Sequence, residues 1–481
     1  MWANLPVNEN SAMNTDQDLA LRALNSTRFT TYWLDSLGAA PIEPPLEGDR
    51  ECDLLVVGGG FCGLWAAIQA KEKNPERSVM LIEARSIANG ASGRPAAIMS
   101  TSVMHGIDNT ERMFPNEVAE LEQLGRENMD GFAATIEKYQ IDCDIEWGGE
   151  MKVSIGDQGL EIINEDHELY QKYGHDSEKL DREGVQRQIH SPIFHGGVWS
   201  KQRSGTVHPG KLARELKRVA MELGVEIFEF TPLDDTEDKG AHVLVKTPGA
   251  SIHAGKVLLA TNAWAAGHRR IKRRVSAIRD RIIVTEPLSP EQLKAVGWHN
   301  RQGIYDTRTQ LNYMRLTRDN RILFGGRLDY FYGNNTDPLQ DKTAKPYLRL
   351  VMSFYRTFPM LRGQIRFSHA WSGPIGLTTR MAVHFQKYHD NKMIFAGGYS
   401  GFGVTATRFG ARVGLALLDG EAIPETRMGF AKRLPAYIPP EPFRWLGAKI
   451  TMYALDTLDE KGGWRRWWVR LVEKMGFPIT L

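Results

Sequence analysis

The sequence predicts an α/β fold in which a parallel, nucleotide-binding sheet is interleaved with a domain built on a mostly antiparallel sheet. Three stretches carry that prediction. In 52–85 an apolar strand at 53–57 runs into Gly58, Gly60 and Gly63, then a helical run 64–73, a second apolar strand 78–82 and Glu83. In 311–327 two strand-like runs flank the turn Asp319-Asn320. In 395–418 a glycine-rich turn precedes a helical run.

The first stretch is G-x-G-x-x-G set between strand and helix, and each residue type has a reason to be there. Gly58 permits a tight turn, Gly60 lets a pyrophosphate approach the backbone, and Gly63 lets the helix pack closely on the strand. The helix start, with Phe61 and Cys62 in the turn, offers free N–H groups and partial positive charge to phosphates. Glu83 ends the second strand, where a carboxylate would accept hydrogen bonds from an adenosine ribose. This part of the chain is expected to bind a dinucleotide.

Length and composition agree. A chain of 481 residues predicts two or three interwoven domains. The net charge of +2 gives no general attraction to polyanions. Cys52, Cys62 and Cys143 are too few for a disulfide framework and point to a reducing compartment. No run of about eighteen apolar residues predicts a spanning helix. Residues 1–18 show no charged-then-apolar signal pattern, so the cytoplasm is the expected location. The basic cluster 268–274 lacks neighbouring aromatics for stacking and reads as a solvated face, so no nucleic-acid partner is expected. No metal site is expected.

Along the chain, the start up to about residue 21 offers little to bury and is expected to be loose. Pro41 to Pro45 reads as a linker. The periodic Val118, Leu121, Leu124, Met129 and Phe132 predict one long helix over 116–139. Strands of the second domain begin at 143–154. A helix opens at 207–211 and ends at Leu223 before Gly224. Residues 242–246 and 251–253 predict a hairpin. In 311–327, Tyr313 and Arg315 lie two apart and share one strand face. That face could hold an anionic group, since a guanidinium matches a carboxylate bidentately, or it could be a surface ion-pairing strand.

The segment from Glu83-Ala84-Arg85 to Gly90-Ala91-Ser92-Gly93-Arg94 resembles flavoproteins of the D-amino acid oxidase superfamily, in the branch holding glycine oxidase, sarcosine oxidase and gamma-glutamylputrescine oxidoreductase. The resemblance implies that this loop, with Ala97 beyond it, runs along an FAD pyrophosphate. Further stretches fall in the family's order over roughly 30–425. Residues 31–37 resemble a short preceding helix, and 225–233, ending at Leu233, a strand whose following backbone contacts adenine. Ala260, Thr261 and Asn262 resemble a turn closing on the ADP moiety, against the plain alternative of a strand-ending turn. Trp371 to Thr378, with Gly373, resembles the stretch that leads back into the FAD domain. Tyr399 and Ser400, then Gly401, Phe402, Gly403, Val404 and Thr405, resemble the turn before its last helix. That helix start would stabilise an anionic reduced flavin.

The implied fold is an FAD-binding Rossmann-like domain of glutathione-reductase type interleaved with an α+β substrate domain. The expected division is 1–49 as an N-terminal extension, 50–105, 201–265 and 372–425 as FAD domain, 106–200 and 266–371 as substrate domain, and 426–481 as a C-terminal helical extension. The implied function is oxidation of a small amine or amino acid, with hydride passing from the C–N carbon to flavin N5 and electrons to O2. Alternatives are a membrane-peripheral dehydrogenase feeding a quinone, and a flavoprotein with a mainly binding or RNA-modifying role. Trp371, Tyr399 and Ser400 are the catalytic candidates, expected beside the flavin, with Trp371 as an apolar wall. Tyr313, Arg315 and Arg327 are the substrate candidates, Arg327 having a competing reading as an ion-pair partner of Asp329 or other sheet neighbours. No cysteine follows Cys143, so the late cysteine that holds FAD covalently in sarcosine oxidases has no counterpart, and noncovalent FAD is expected. His105 is a candidate attachment or catalytic histidine, but the favoured reading is a turn residue after the flavin loop.

In the C-terminal extension, Trp464, Trp467, Trp468, Leu471, Val472 and Met475 form one helical stripe, with Arg465, Arg466, Arg470 and Lys474 over much of the remaining surface. The stripe is expected to pack on the protein's own body or a second subunit. A basic, tryptophan-bearing helix could instead lie on an anionic membrane, which is the less favoured reading.

Overall fold

The computed structural model describes residues 9–268 and 271–477; residues 1–8 of the expected loose start and Arg269 and Arg270 of the basic cluster lie outside them. From Glu9 the chain is helical, an element the sequence did not predict. Glu9–Ala23 is a helix that docks beside Leu348–Thr357 by burying Ala20, Ala23 and the following Leu24. Small side chains at one end suffice for a close approach, which a count of apolar residues undervalues.

Two eight-stranded sheets organise the described residues. In the first, Arg50–Val57 is central, pairing in parallel with Val79–Ile82 on one side and Ser251–Leu259 on the other. Leu54, Leu55, Val56 and Val57 are all buried, as a parallel strand covered on both faces requires. Glu226–Phe228 and Met393–Gly397 extend the parallel set, and His384–Tyr388 closes one edge antiparallel. The strand expected over 225–233 stops at Phe228. Phe230 takes φ +52°, and the amides of Phe230 and Thr231 donate to the carbonyls of Arg85 and Glu83. The predicted hairpin gains a third strand, Asp235–Asp238. Phe61–Lys73 and Ala406–Asp419 pack together against this sheet.

The second sheet runs Phe367–Leu377, Ser276–Thr285, Ile322–Tyr330, Tyr313–Leu316, Gly303–Asp306, Glu150–Ile155, Phe194–Ser200, Ser177–Leu180. All its pairs are antiparallel except Gly303–Asp306 with Glu150–Ile155. Its core is a separate cluster containing Phe324, Phe354, Phe358 and Phe367.

From residue 443 the C-terminal extension is a pair of helices, Phe443–Lys461 and Trp464–Lys474, the first leaning on Ile322–Tyr330. The first was not anticipated. The predicted stripe of the second is divided: Val472 is buried and Trp468 half-buried, its indole donating to the Thr451 hydroxyl at 3.0 Å, while Trp464 and Trp467 are exposed. Packing of the whole stripe on the body is therefore corrected to packing of half of it.

Candidate active site

The glycine loop shows why each glycine is there. Gly58 has φ +116°, and a Cβ on it would sit 2.8 Å from the Ala260 carbonyl oxygen. A Cβ on Gly63 would sit 1.9 Å from the Gly58 carbonyl oxygen, so the helix can lie this close only without a side chain. Gly60 precedes the helix, and the Phe61 amide donates to the Ser92 hydroxyl at 2.9 Å. Glu83 grips the same loop, accepting from the amides of Gly59 at 2.7 Å and Arg85 at 2.9 Å. Burial pushes its carboxyl above the usual range, while those two amides pull the other way.

A cavity of about 1350 Å³ opens from this loop between the two sheets. It is lined at one end by Glu83, Ala84, Arg85 and Leu233, and along its length by Gly58, Gly60, Phe61 and Cys62. Gly90, Ala91, Ser92, Arg94, Ala97, Ala260, Thr261 and Asn262 follow, and Gly373, Ser400, Gly401, Phe402, Gly403, Val404 and Thr405 line the far end. Gly63 and Gly93 are off its surface: Gly63 packs beneath the loop, and Gly93 accepts the Thr31 hydroxyl at 2.8 Å. The residues fit an FAD. The space is long, a side chain at Gly60 would meet Ser92 at 2.9 Å, a carboxylate stands at one end, and the start of Ala406–Asp419 stands at the other.

Trp371, expected as a wall, does not line the cavity. Its indole donates to the Arg94 carbonyl at 3.0 Å, and its ring is buried with Trp33, Ile282, Val284 and Leu323. It braces the loop from behind. Tyr399 borders the cavity, but its hydroxyl is directed to the Cys62 sulfur at 3.1 Å, tying the last helix region to the first. Burial pushes the Cys62 thiol up to about 11. Ser400, at φ +53°, donates to the Gly398 carbonyl at 3.2 Å and accepts from the Thr378 amide at 3.2 Å. His105 lines the cavity against the Phe402 ring, 4.3 Å between centroids, and burial pulls its imidazole down to about 4.

Among the substrate candidates, Arg315 is corrected. It is 2 % exposed and off the cavity, giving its guanidinium to the carbonyls of Leu316 (3.1 Å), Val207 (2.6 Å), Ala96 and Ala97 (both 3.3 Å). It shares a strand with Tyr313, but the cavity ends between them. Arg327 does line the cavity, at φ +69°, and its partner is Asp456 of Phe443–Lys461 at 2.7 Å. Asp329 is taken instead by Arg281 at 3.0 Å and Lys449 at 2.5 Å.

Tyr313 lines the cavity, and its hydroxyl donates in a short bond to Asp280, two strands away. The reach depends on Gly325 of the strand between, where a Cβ would lie 2.1 Å from the Tyr313 ring. Asp280 also accepts from the Arg281 amide at 2.9 Å, and burial pushes its carboxyl up to about 6. A second buried acid, Glu150, lines the cavity beside Lys152, Tyr170 and Tyr305, and burial pushes it up to about 7. Lys152 pairs with Asp166 at 2.6 Å. Asp280 and Glu150 escaped the sequence reading. The one signal for Asp280 was a charged trio, Arg279-Asp280-Arg281, inside a strand otherwise apolar; Glu150 had none.

Residues 53–414 match the model of the family described as FAD dependent oxidoreductase, DAO. The chain is 31 % identical over 392 residues to a probable oxidoreductase, OrdL, of Haemophilus influenzae, covering 80 % of this chain and 86 % of that one. It is 30 % identical over 377 residues to gamma-glutamylputrescine oxidoreductase of Escherichia coli, covering 77 % and 84 %. Among solved structures it is similar to glycine oxidase of Geobacillus kaustophilus, with TM-score 0.66 and 16 % identity over 79 % of this chain and 98 % of that one. Glycine turn, acid-ended strand, cavity and matched span agree: this chain belongs to the DAO family of FAD-dependent oxidoreductases.

Proposed function

We propose that this chain oxidises the C–N bond of a cationic amine held between the late glycine turn and the second sheet, with noncovalent FAD and O2 as final acceptor. Bound FAD would supply the two-electron acceptor for the hydride, which leaves only from the neutral amine. The ammonium therefore first gives a proton to the Asp280 carboxylate, and water hydrolyses the imine that hydride loss leaves. The chain's own residues bind and orient. The observation that carries the reading is the Asp280–Tyr313 pair, a buried carboxyl on the cavity whose nearest cation, Arg281, is committed to Asp329 and Asp341. Such a group costs free energy to ionise unless a cation joins it. An ammonium is that cation, and Tyr313 fixes which carboxylate oxygen faces it. Glu150 offers a second acidic position to a longer molecule. The anion-binding face first expected of Tyr313 and Arg315 is replaced by this acidic one. The Escherichia coli relative is named for gamma-glutamylputrescine, an assignment consistent with amine recognition.

The test is anaerobic flavin bleaching with gamma-glutamylputrescine, putrescine, glycine and proline. Amines without a carboxylate beside the nitrogen are expected to bleach fastest, and Asp280→Asn to raise KM for them about tenfold or more while the bound flavin stays. Preference for glycine or proline, with Asp280→Asn unaffected, would overturn the reading.

A second reading, electron delivery to a quinone, has one observation in its favour. Leu455, Trp468, Val472 and Met452 of the C-terminal helices give the cavity an apolar arm. Peroxide formed in step with amine consumption decides against it.

A further inference from the structure

Beside the cavity, whose rim Phe443 shares, lies an unexplained feature: the outer face of the C-terminal helix pair. On Phe443–Lys461 the residues Phe443, Leu446 and Tyr453 are exposed, by 69 %, 52 % and 53 %, at helical spacing along one side. The strip continues onto the next helix, where Trp464 stacks on Tyr453 at 6.3 Å and Trp467 is 64 % exposed. Side chains of this kind on a monomer's surface need a reason when they are contiguous.

Charge says what covers the strip. At one end stand Lys461, Arg466, Arg470 and Lys474, all exposed. At the other, the Arg444 guanidinium reaches the Lys272 carbonyl at 3.3 Å, which brings the exposed Lys272 and Arg273 of the 268–274 cluster to the first turn of the helix. Two basic clusters almost two hundred residues apart in sequence thus flank one apolar strip. Two acids of the first helix, Asp456 and Asp459, are occupied on the protein side. Asp456 takes Arg327 at 2.7 Å and Arg349 at 3.3 Å, and Asp459 takes the Thr309 hydroxyl at 2.6 Å. None of the helices is long and apolar enough to cross a membrane, among the described residues. Indole rings between rows of Lys and Arg match the boundary between acyl chains and anionic headgroups, where the rings enter shallowly and the cations stay with the phosphates.

We propose that this face seats the protein on an anionic phospholipid bilayer, with Phe443, Leu446, Tyr453, Trp464 and Trp467 inserted and the two basic clusters on the headgroups. The proposal does not depend on the identity of the amine. Trp464 and Trp467 are off the cavity surface, whereas Trp468 and Val472 of the same helix line it, so the outer residues can be changed without touching the inner ones.

The experiment is co-sedimentation of the FAD-loaded full chain with phosphatidylcholine vesicles, with and without phosphatidylglycerol. Binding is expected to the phosphatidylglycerol vesicles, weakening as salt is raised, with a blue shift of tryptophan emission. Trp464→Ser with Trp467→Ser should weaken it about tenfold or more, and Arg466→Glu with Arg470→Glu should remove the preference for anionic lipid. Unchanged flavin absorbance in each variant shows that the fold stands. If the tryptophan variant fails to fold, the charge variant and the salt series still decide. Wild-type protein that ignores both vesicle types, or variants that bind like wild type, would overturn the proposal. So would a dimer in sedimentation velocity that the tryptophan variant dissolves, since a second copy would then cover the strip.

Discussion

Tyr313 reaches over Gly325 to place its hydroxyl on Asp280, joining two strands that do not pair with each other. The bond holds the carboxylate against the cavity and leaves its remaining lone pairs for a ligand.

Asp280 gives a pH dependence with a definite sign. Its carboxyl is pushed up to about 6, so it is ionised above that value and protonated below it. Binding of a cationic amine is therefore expected to weaken as pH falls through about 6. A pH profile of kcat/KM checks this, and Asp280→Asn should lower the whole curve and remove that limb. A limb that survives in the variant would point to another group.

Arg315→Ala is expected to act on stability. The change empties a buried site and leaves carbonyls unsatisfied, costing about 2–5 kcal/mol. Urea unfolding followed by flavin fluorescence reads the loss, with KM of the surviving protein near wild type. Arg315→Lys should recover only part of it, because an ammonium lacks the planar fork that spans Val207 and the 96–97 carbonyls.

Gly63→Ala is expected to destroy flavin binding, since the methyl would lie 1.9 Å from a backbone oxygen that cannot move without the pyrophosphate turn. Glu83→Ala should leave the chain folded but lose FAD on dialysis, because the Gly59 and Arg85 amides lose their acceptor. Retained yellow colour after exhaustive dialysis would contradict that.

Asp456→Asn removes the charge that Arg327 faces across the cavity rim. The expected cost is about 1–3 kcal/mol, with faster trypsin cleavage after Lys461 than in wild type. An unchanged unfolding midpoint would show that the tie contributes little.

The parts legible in the sequence are those where backbone chemistry leaves few choices. A glycine at φ +116° against Ala260, and another with no room for a methyl, can be read from spacing alone because few residues satisfy both demands. Alternation likewise put Tyr313 and Arg315 on one face. It could not say where on that face the cavity stops, and Arg315 lies beyond the edge. Trp371 failed for a related reason: its position was right, but its ring turns to the Trp33 cluster behind the loop. Asp280 was out of reach because its role depends on a strand order and on the gap at Gly325. The helix Phe443–Lys461 was missed because its apolar residues serve two sides, the cavity and the exterior, which blurs any single stripe.

The link between Arg327 and Asp456 makes the C-terminal helices one wall of the reaction chamber. Occupancy of the chamber and order in that wall are then thermodynamically reciprocal: whatever fills the one must slow hydrogen exchange in the other, and whatever steadies the helices from outside must tighten what is held within.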